Sequence, residues 1–419
     1  MRIRRTLSPT AAPLRPADLW RGLKGFFAGE KYLRRLKEEI TGYFGVRHAW
    51  FTSSGKAALY VILRALRSLE PDRTEVLIPA YTCFSVPSAI VRAGLEVALC
   101  DIDASSLDLN GTLLGKSVNE KTLCVVPDHL FGIPSAMGSI VDLCRDRGVF
   151  VLEDAAQAMG GRCDGRFLGT IGDVGLFSLG RGKPVACGSG GIIITASDVI
   201  AGAIEREFSS LPFPGRATQA GEYLKAAAMS LFIHPLLYSL PAALPFLHLG
   251  QTVFDSRFPV MRFSSMQAGL CMTWRRRLEA AMSVRKRQAA MLCRMLDAAR
   301  IAGDVSSAGY LRLPFMTESR ERRQRVCRTA KKLGLGITTM YPSPVNEIPQ
   351  IAHRFAGSTF PAARLVADRL ITLPLHRYVR DGDREEMARL LKPVRSIGVR
   401  SGVLSVDMTV PGMTGKERV

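Results

Sequence analysis

Between residues 57 and 152, short apolar and β-branched runs alternate with longer stretches of helical period, and no other feature constrains the fold as strongly. Runs at 76–78, 97–99, 123–126 and 149–152 read as strands. Stretches at 57–68, 85–93 and 137–147 read as helices, each closed by Gly, Pro or a polar turn. Repeated strand–helix–strand units build a mostly parallel sheet, which offers ligand sites at the carboxyl ends of its strands. From about residue 264 the character changes to long basic helices, notably 267–299 with Arg275-Arg276-Arg277, and a short strand at 311–314. That pattern predicts a smaller α+β domain.

With 419 residues and 47% hydrophobic content, the chain can bury a large core. Nine cysteines lack any C-x-x-C pair, and their odd number suits a reduced interior better than a disulfide framework. None of the six histidines stands beside a cysteine at ligand spacing, so no metal site is expected. Lys and Arg outnumber Asp and Glu by 57 to 37, a balance of +20 that favours anionic partners. The arginine-rich stretches 275–287 and 320–332 carry no helix-turn-helix, zinc-finger or aromatic stacking signature; solvated helix faces explain them more simply than nucleic acid. Residues 6–13 hold two prolines and no sustained apolar run, so a cleaved signal peptide is not expected and a cytoplasmic location is.

Three constellations carry chemistry. In Val151-Leu152-Glu153-Asp154-Ala155-Ala156-Gln157 a buried-type strand runs into two carboxylates and an amide. An acid there can face a ligand at the sheet edge, and a carboxylate on a pyridine nitrogen keeps that nitrogen protonated. Helix capping or Mg²⁺ binding by Asp154 is the competing account. The second is Asp173-Val174-Gly175-Leu176-Phe177-Ser178 and then Leu179-Gly180-Arg181-Gly182-Lys183, where a strand delivers a hydroxyl and a glycine-flanked loop delivers an amine. A lysine beside cationic neighbours such as Arg181 is poised to attack an aldehyde; an ordinary solvated lysine is the alternative. The third, Ser53-Ser54-Gly55-Lys56-Ala57-Ala58, opens a helix whose N-terminus can bind phosphate or be merely capped.

Taken in order, these segments, with Ile78-Pro79-Ala80-Tyr81-Thr82, Gly190-Gly191, Arg262-Phe263-Ser264-Ser265-Met266-Gln267-Ala268 and Leu373-Pro374-Leu375-His376, resemble the DegT/StrS nucleotide-sugar aminotransferases. The resemblance implies a fold-type-I pyridoxal-phosphate (PLP/PMP) large domain and a smaller C-terminal α+β domain. It implies Lys183 as the lysine that links to the cofactor, Asp154 as the acid on the ring nitrogen, and Gln157 near the ring hydroxyl. Gly55, Lys56 and Ser178 become phosphate ligands, Lys56 standing where a threonine is usual. Tyr341 and Asn346, in Tyr341-Pro342-Ser343-Pro344-Val345-Asn346, are implied as substrate contacts, with Asn346 in place of a histidine. Val260 replaces an asparagine that reaches the neighbouring subunit's cofactor phosphate. Cys83 stands near the usual ring-stacking aromatic, with Tyr81 and Phe84 as stand-ins.

The implied reaction moves an amino group from an amino acid, by analogy glutamate, to a nucleotide-linked keto-sugar, in a homodimer. A sugar dehydratase or lyase on the same cofactor is the rival, disfavoured by the retained Lys183; a non-catalytic scaffold is the other. The expected organisation is a basic N-terminal segment with a helix (1–40), a PLP-binding domain (41–225), an apolar insertion (226–254), a small domain (255–400) and a flexible tail (401–419). The insertion has no Lys, Arg, Asp or Glu over more than the ~20 residues that span a bilayer, yet Pro235, Pro241 and Pro245 break its helical bonding. Burial at a subunit interface or against the small domain, or peripheral docking on the inner face of a membrane, are its expected fates.

Overall fold

The computed structural model describes residues 5–27, 29–244, 252–303 and 309–392. Eleven strands are assigned among these: β1 (His48–Thr52), β2 (Glu75–Pro79), β3 (Glu96–Cys100), β4 (Thr122–Val125), β5 (Phe150–Asp154), β6 (Arg162–Cys163), β7 (Arg166–Phe167), β8 (Val174–Ser178), β9 (Gly191–Thr195), β10 (Arg312–Met316) and β11 (Leu370–Pro374). Seven form one sheet in the order β1-β9-β8-β5-β4-β2-β3. From β8 to β3 every pairing is parallel, and only β9 runs against its neighbours β1 and β8. The strands expected at 76–78, 97–99, 123–126 and 149–152 all lie in the parallel part.

The helices of the first half are α1 (Pro16–Gly25), α2 (Lys31–Phe44), α3 (Gly55–Leu69), α4 (Ser85–Arg92), α5 (Gly111–Ser117), α6 (Met137–Asp146) and α7 (Asp198–Ser209). α3 starts where Ser54 accepts a hydrogen bond from the Ala57 N–H, and it buries Ala58, Val61, Ile62 and Ala65 in the main core. Burial of that apolar face, at roughly 25 cal/mol per Å², fixes the height of the α3 N-terminus over the sheet.

The second half adds α8 (Arg216–Phe232), α9 (Ser239–Ala242), α10 (Ser265–Cys271), α11 (Trp274–Met295), α12 (Arg320–Leu333), α13 (Pro361–Arg369) and α14 (Asp381–Leu391). β10 and β11 pair antiparallel, and α12 packs on α13 and α14 beside them, as expected for a small α+β domain. The single helix expected over 267–299 is two. It breaks at Met272–Thr273, where the Thr273 hydroxyl turns to donate to the buried carboxylate of Asp18 and the Trp274 indole donates to Glu39 at 3.2 Å. Side-chain periodicity does not register a break made by partners more than 200 residues away.

The expected insertion boundary at residue 226 falls inside α8, which begins at Arg216; residues 245–251 and the tail 401–419 lie outside the described residues. No helix among the described residues is long and apolar enough to cross a membrane. Leu224, Leu231, Leu236, Leu240 and Leu244 are exposed along α8 and α9, as are Trp20, Leu23 and Phe27 in and just after α1.

Residues 5–14 form a strap across α8, α12 and α14. Arg5 grips Asp383 at 2.6 and 2.9 Å, and Thr6 N–H donates to the Pro235 carbonyl at 2.8 Å. The Leu7 N–H donates to the Gly334 carbonyl, Ser8 offers its carbonyl to His376 Nε2 at 2.8 Å, and Leu14 N–H donates to Ser230. Arg5 is thus committed to α14.

Candidate active site

The carboxyl end of β5 places Asp154 in a buried position, 6% exposed. Its Oδ1 accepts the Ala156 N–H at 3.0 Å, the tight turn that ends the strand. Burial holds the Asp154 carboxyl above the ordinary carboxylate range, while the Lys183 ammonium pulls it down. Two residues 29 positions apart in the chain, singled out independently in the sequence, therefore lie within electrostatic reach of each other. Lys183 follows Gly182, which adopts φ +76° and whose missing Cβ would stand 2.9 Å from the Thr10 hydroxyl of the strap. Arg181, expected to press on Lys183, is exposed; the charged groups acting in the pocket with Lys183 are carboxylates, Asp154 and Asp128.

β8 ends at Ser178, whose Oγ accepts the Gly180 N–H at 3.3 Å. Opposite it, α3 begins at Gly55, where a Cβ would come within 3.1 Å of both Ser178 Cβ and Oγ. Gly55 thus keeps a serine hydroxyl and a helix N-terminus side by side, which is a cradle for an anion. Lys56 does not join it in this structure: its ammonium lies 3.7 Å from Asp255 and 4.6 Å from the centre of the Phe258 ring.

Gln157 is 3% exposed, and its Nε2 donates to the Tyr341 hydroxyl at 3.1 Å; its Oε1 has no partner among the described residues. Tyr341 is buried against Tyr81, ring centres 5.3 Å apart, and its N–H donates to the Tyr81 hydroxyl. Burial drives both phenols well above their usual range. Asn346 sits in the short helix Val345–Glu347 with a buried Oδ1 that has no partner among the described residues. Phe84 is buried at the start of α4, Cys83 Sγ lies 3.6 Å from Thr252, and Val260 packs against the main core.

Two residues of this neighbourhood, His129 and Asp128, escaped the sequence reading, and Glu153 was quoted there without a role of its own. Glu153, fully buried, accepts the Gly169 N–H at 2.7 Å and the Gly172 N–H at 2.5 Å, and also the Ile171 N–H, fixing the loop that leads into β8. His129 receives the Ser135 N–H on Nδ1 at 3.1 Å, so Nε2 carries the proton given to Glu153 at 3.0 Å. Asp128 lies next to Asp154 in the extension of β4, where Asp154 N–H donates to the Pro127 carbonyl and His129 N–H to that of Asp154. The dipeptide Asp128-His129 after an apolar run was the available signal.

A mixed, mainly parallel sheet with an acid ending β5 and a lysine loop after β8 is the architecture of the fold-type-I pyridoxal-phosphate-dependent enzymes. The chain belongs to the DegT/DnrJ/EryC1/StrS aminotransferase family, whose model matches residues 23–392. It is 32% identical over 170 residues to the GDP-perosamine synthase of Vibrio cholerae, a match covering 41% of this chain and about half, 46%, of that relative. It is 26% identical over 364 residues to the UDP-N-acetyl-3-dehydro-alpha-D-glucosamine 3-aminotransferase of Acidithiobacillus ferrooxidans, covering 86% and 87% of the two chains. Among solved structures, the Helicobacter pylori aminotransferase PseC superposes with a TM-score of 0.74 at 16% identity, over 92% of this chain and 98% of that one, and shows the same fold.

Proposed function

We propose that the chain is a pyridoxal-phosphate-dependent aminotransferase that moves an amino group from an amino acid, glutamate by analogy, to a nucleotide-linked keto-sugar. The observation that carries this is the buried Asp154 carboxylate at the carboxyl end of β5, within electrostatic reach of Lys183. The pocket suits the cofactor chemically. The Gly55–Ser178 cradle fits a phosphate, Asp154 offers a buried acid for a pyridine nitrogen, and Gln157 Oε1 is a buried polar atom awaiting a partner. Lys56 rests against Asp255 and the Phe258 ring beside this cradle.

When bound, the cofactor supplies an electron sink for the carbanion that forms as the donor loses its α-proton. Asp154 holds the proton on the ring nitrogen; an acid buried this deeply keeps its full effect because little water screens it. Lys183 Nζ takes the proton from the donor's α-carbon and returns one in the opposite half-reaction. Gln157 orients the ring hydroxyl, itself held by Tyr341, and Asn346 Oδ1 offers an acceptor to the sugar. The GDP- and UDP-sugar relatives support a nucleotide-linked acceptor, and the basic balance of +20 suits a diphosphate.

The decisive assay incubates the purified protein with glutamate and a panel of nucleotide keto-sugars and follows 2-oxoglutarate. Production that depends on a keto-sugar supports the reading, and a dehydrated sugar with no 2-oxoglutarate sinks it in favour of a lyase.

The exposed leucines of α8 and α9, with Trp20 and Phe27 beside α1, form an apolar face that we assign to a homodimer. Light scattering at twice 45.8 kDa is expected. A single-chain mass combined with flotation on anionic liposomes would instead place this face on the inner surface of a membrane.

A further inference from the structure

The cofactor pocket holds a second acid. Chain past β4 runs parallel beside the end of β5, and Asp128 is the register neighbour of Asp154. Neighbours in a parallel ladder direct their side chains to the same face, about 4.8 Å apart. Both are 6% exposed. Asp128 Oδ2 accepts the Thr82 hydroxyl at 2.7 Å, and Thr82 is itself fully buried ahead of α4. Neither acid has an arginine or lysine within ion-pair distance among the described residues. Lys183 and His129 act on both acids.

We propose that Asp128 is a positioning residue for the ring-nitrogen acid, sharing one proton with Asp154 so that the charge facing the cofactor ring changes with pH. This rests on the pyridoxal-phosphate reading of the pocket. Two carboxylates this close in a medium that excludes water cannot both ionise cheaply, so one keeps a proton. Asp128 is the one that keeps it. Burial, then the charge on Asp154, push it up to about 7, against the pull of Thr82, Lys183 and His129. Asp154 has Lys183, the Ala156 N–H and His129 in its favour, and ionises first. Tyr341, the remaining titratable group facing the pair, stays protonated through the neutral range. Below neutrality the pair carries one negative charge, and above it two. The second charge strengthens the hold on the ring-nitrogen proton without Asp128 touching the ring.

The test is a pH titration of the absorption spectrum of the holoenzyme, with cofactor affinity measured in parallel, for wild type, D128N and D128E. D128N keeps the size of the side chain and an acceptor for Thr82 but cannot ionise. It should move the spectral midpoint by about one pH unit or more, a tenfold change in proton affinity, with cofactor affinity changed by less than about threefold. D128E should restore the wild-type titration. A D128N midpoint within about 0.3 units of wild type overturns the inference, as does a change in cofactor affinity alone. If D128N does not fold, T82V serves: loss of the donated hydrogen bond should raise the midpoint, and an unmoved midpoint overturns the inference. A wild-type protein that binds no pyridoxal phosphate sinks the functional reading itself, whereas normal binding with an unmoved midpoint sinks only the role of Asp128.

Discussion

Gln157 and Tyr341, 184 residues apart in the chain, meet in a buried hydrogen bond of 3.1 Å that joins the end of β5 to the segment following α12. One residue was marked by the cofactor motif and the other by the substrate segment, so the bond connects the two halves of the proposed reaction. Tyr341→Phe leaves the Gln157 amide without its partner, at a cost of about 1–3 kcal/mol. Cofactor affinity measured by equilibrium dialysis should fall by roughly tenfold, and unchanged affinity would mean the bond does not orient Gln157.

Lys183→Ala should abolish covalent capture. Borohydride reduction of the wild type fixes the cofactor on a peptide containing Lys183, and mass spectrometry of the variant should find none. Turnover should drop by at least about 100-fold, the low end for a general acid–base.

Asp154→Asn should still bind the cofactor but lose more than tenfold in kcat, over about 1.4 kcal/mol of barrier, because an amide cannot hold the ring nitrogen protonated. A kcat within tenfold of wild type would place the acid away from the ring.

Glu153→Gln should destabilise the fold rather than the chemistry. Its carboxylate takes three backbone N–H groups from residues 169–172 and the His129 proton. An amide has one acceptor oxygen where the carboxylate has two, so at least one buried donor is stranded, for about 1–3 kcal/mol. Urea midpoints measure this directly, and equal midpoints would show that the loop is held by other means.

His376 carries the acid side of stability. Burial lowers it from 6.5 to about 4. Because the unfolded chain binds that proton more readily, stability is intact above about pH 6.5 and lost as pH falls toward 4, by roughly 2–4 kcal/mol. His376→Asn should flatten the stability–pH curve over that window, and an equally steep curve would exclude this histidine as the cause.

The parallel strands and α3, α4 and α6 were legible because their apolar period is local and their ends carry Gly, Ser or a polar turn. Asp154, Ser178 and Lys183 stood out as candidates because each sits where a strand ends or in a glycine-flanked loop, and Gln157 through the resemblance alone. Lys56 looked like a phosphate ligand from its place at the head of α3, but its stem carries the ammonium to Asp255 and the Phe258 ring, partners 199 and 202 positions away. Asp128 went unseen for a similar reason: its meaning lies in the register between two strands 26 residues apart. The break between α10 and α11 depends on Asp18 and Glu39, which no local window contains.

The strap of residues 5–14 also determines how the molecule bears force. A load on residue 5, from a tethered domain or a pulling protease, goes first into Asp383 and so into α14. It passes next to Pro235, Gly334 and His376, and only then to Thr10, against which Gly182 rests. The lysine loop therefore lies behind four anchors, and tension at the amino end loads α14 and the segments around Pro235, Gly334 and His376 before it reaches Lys183.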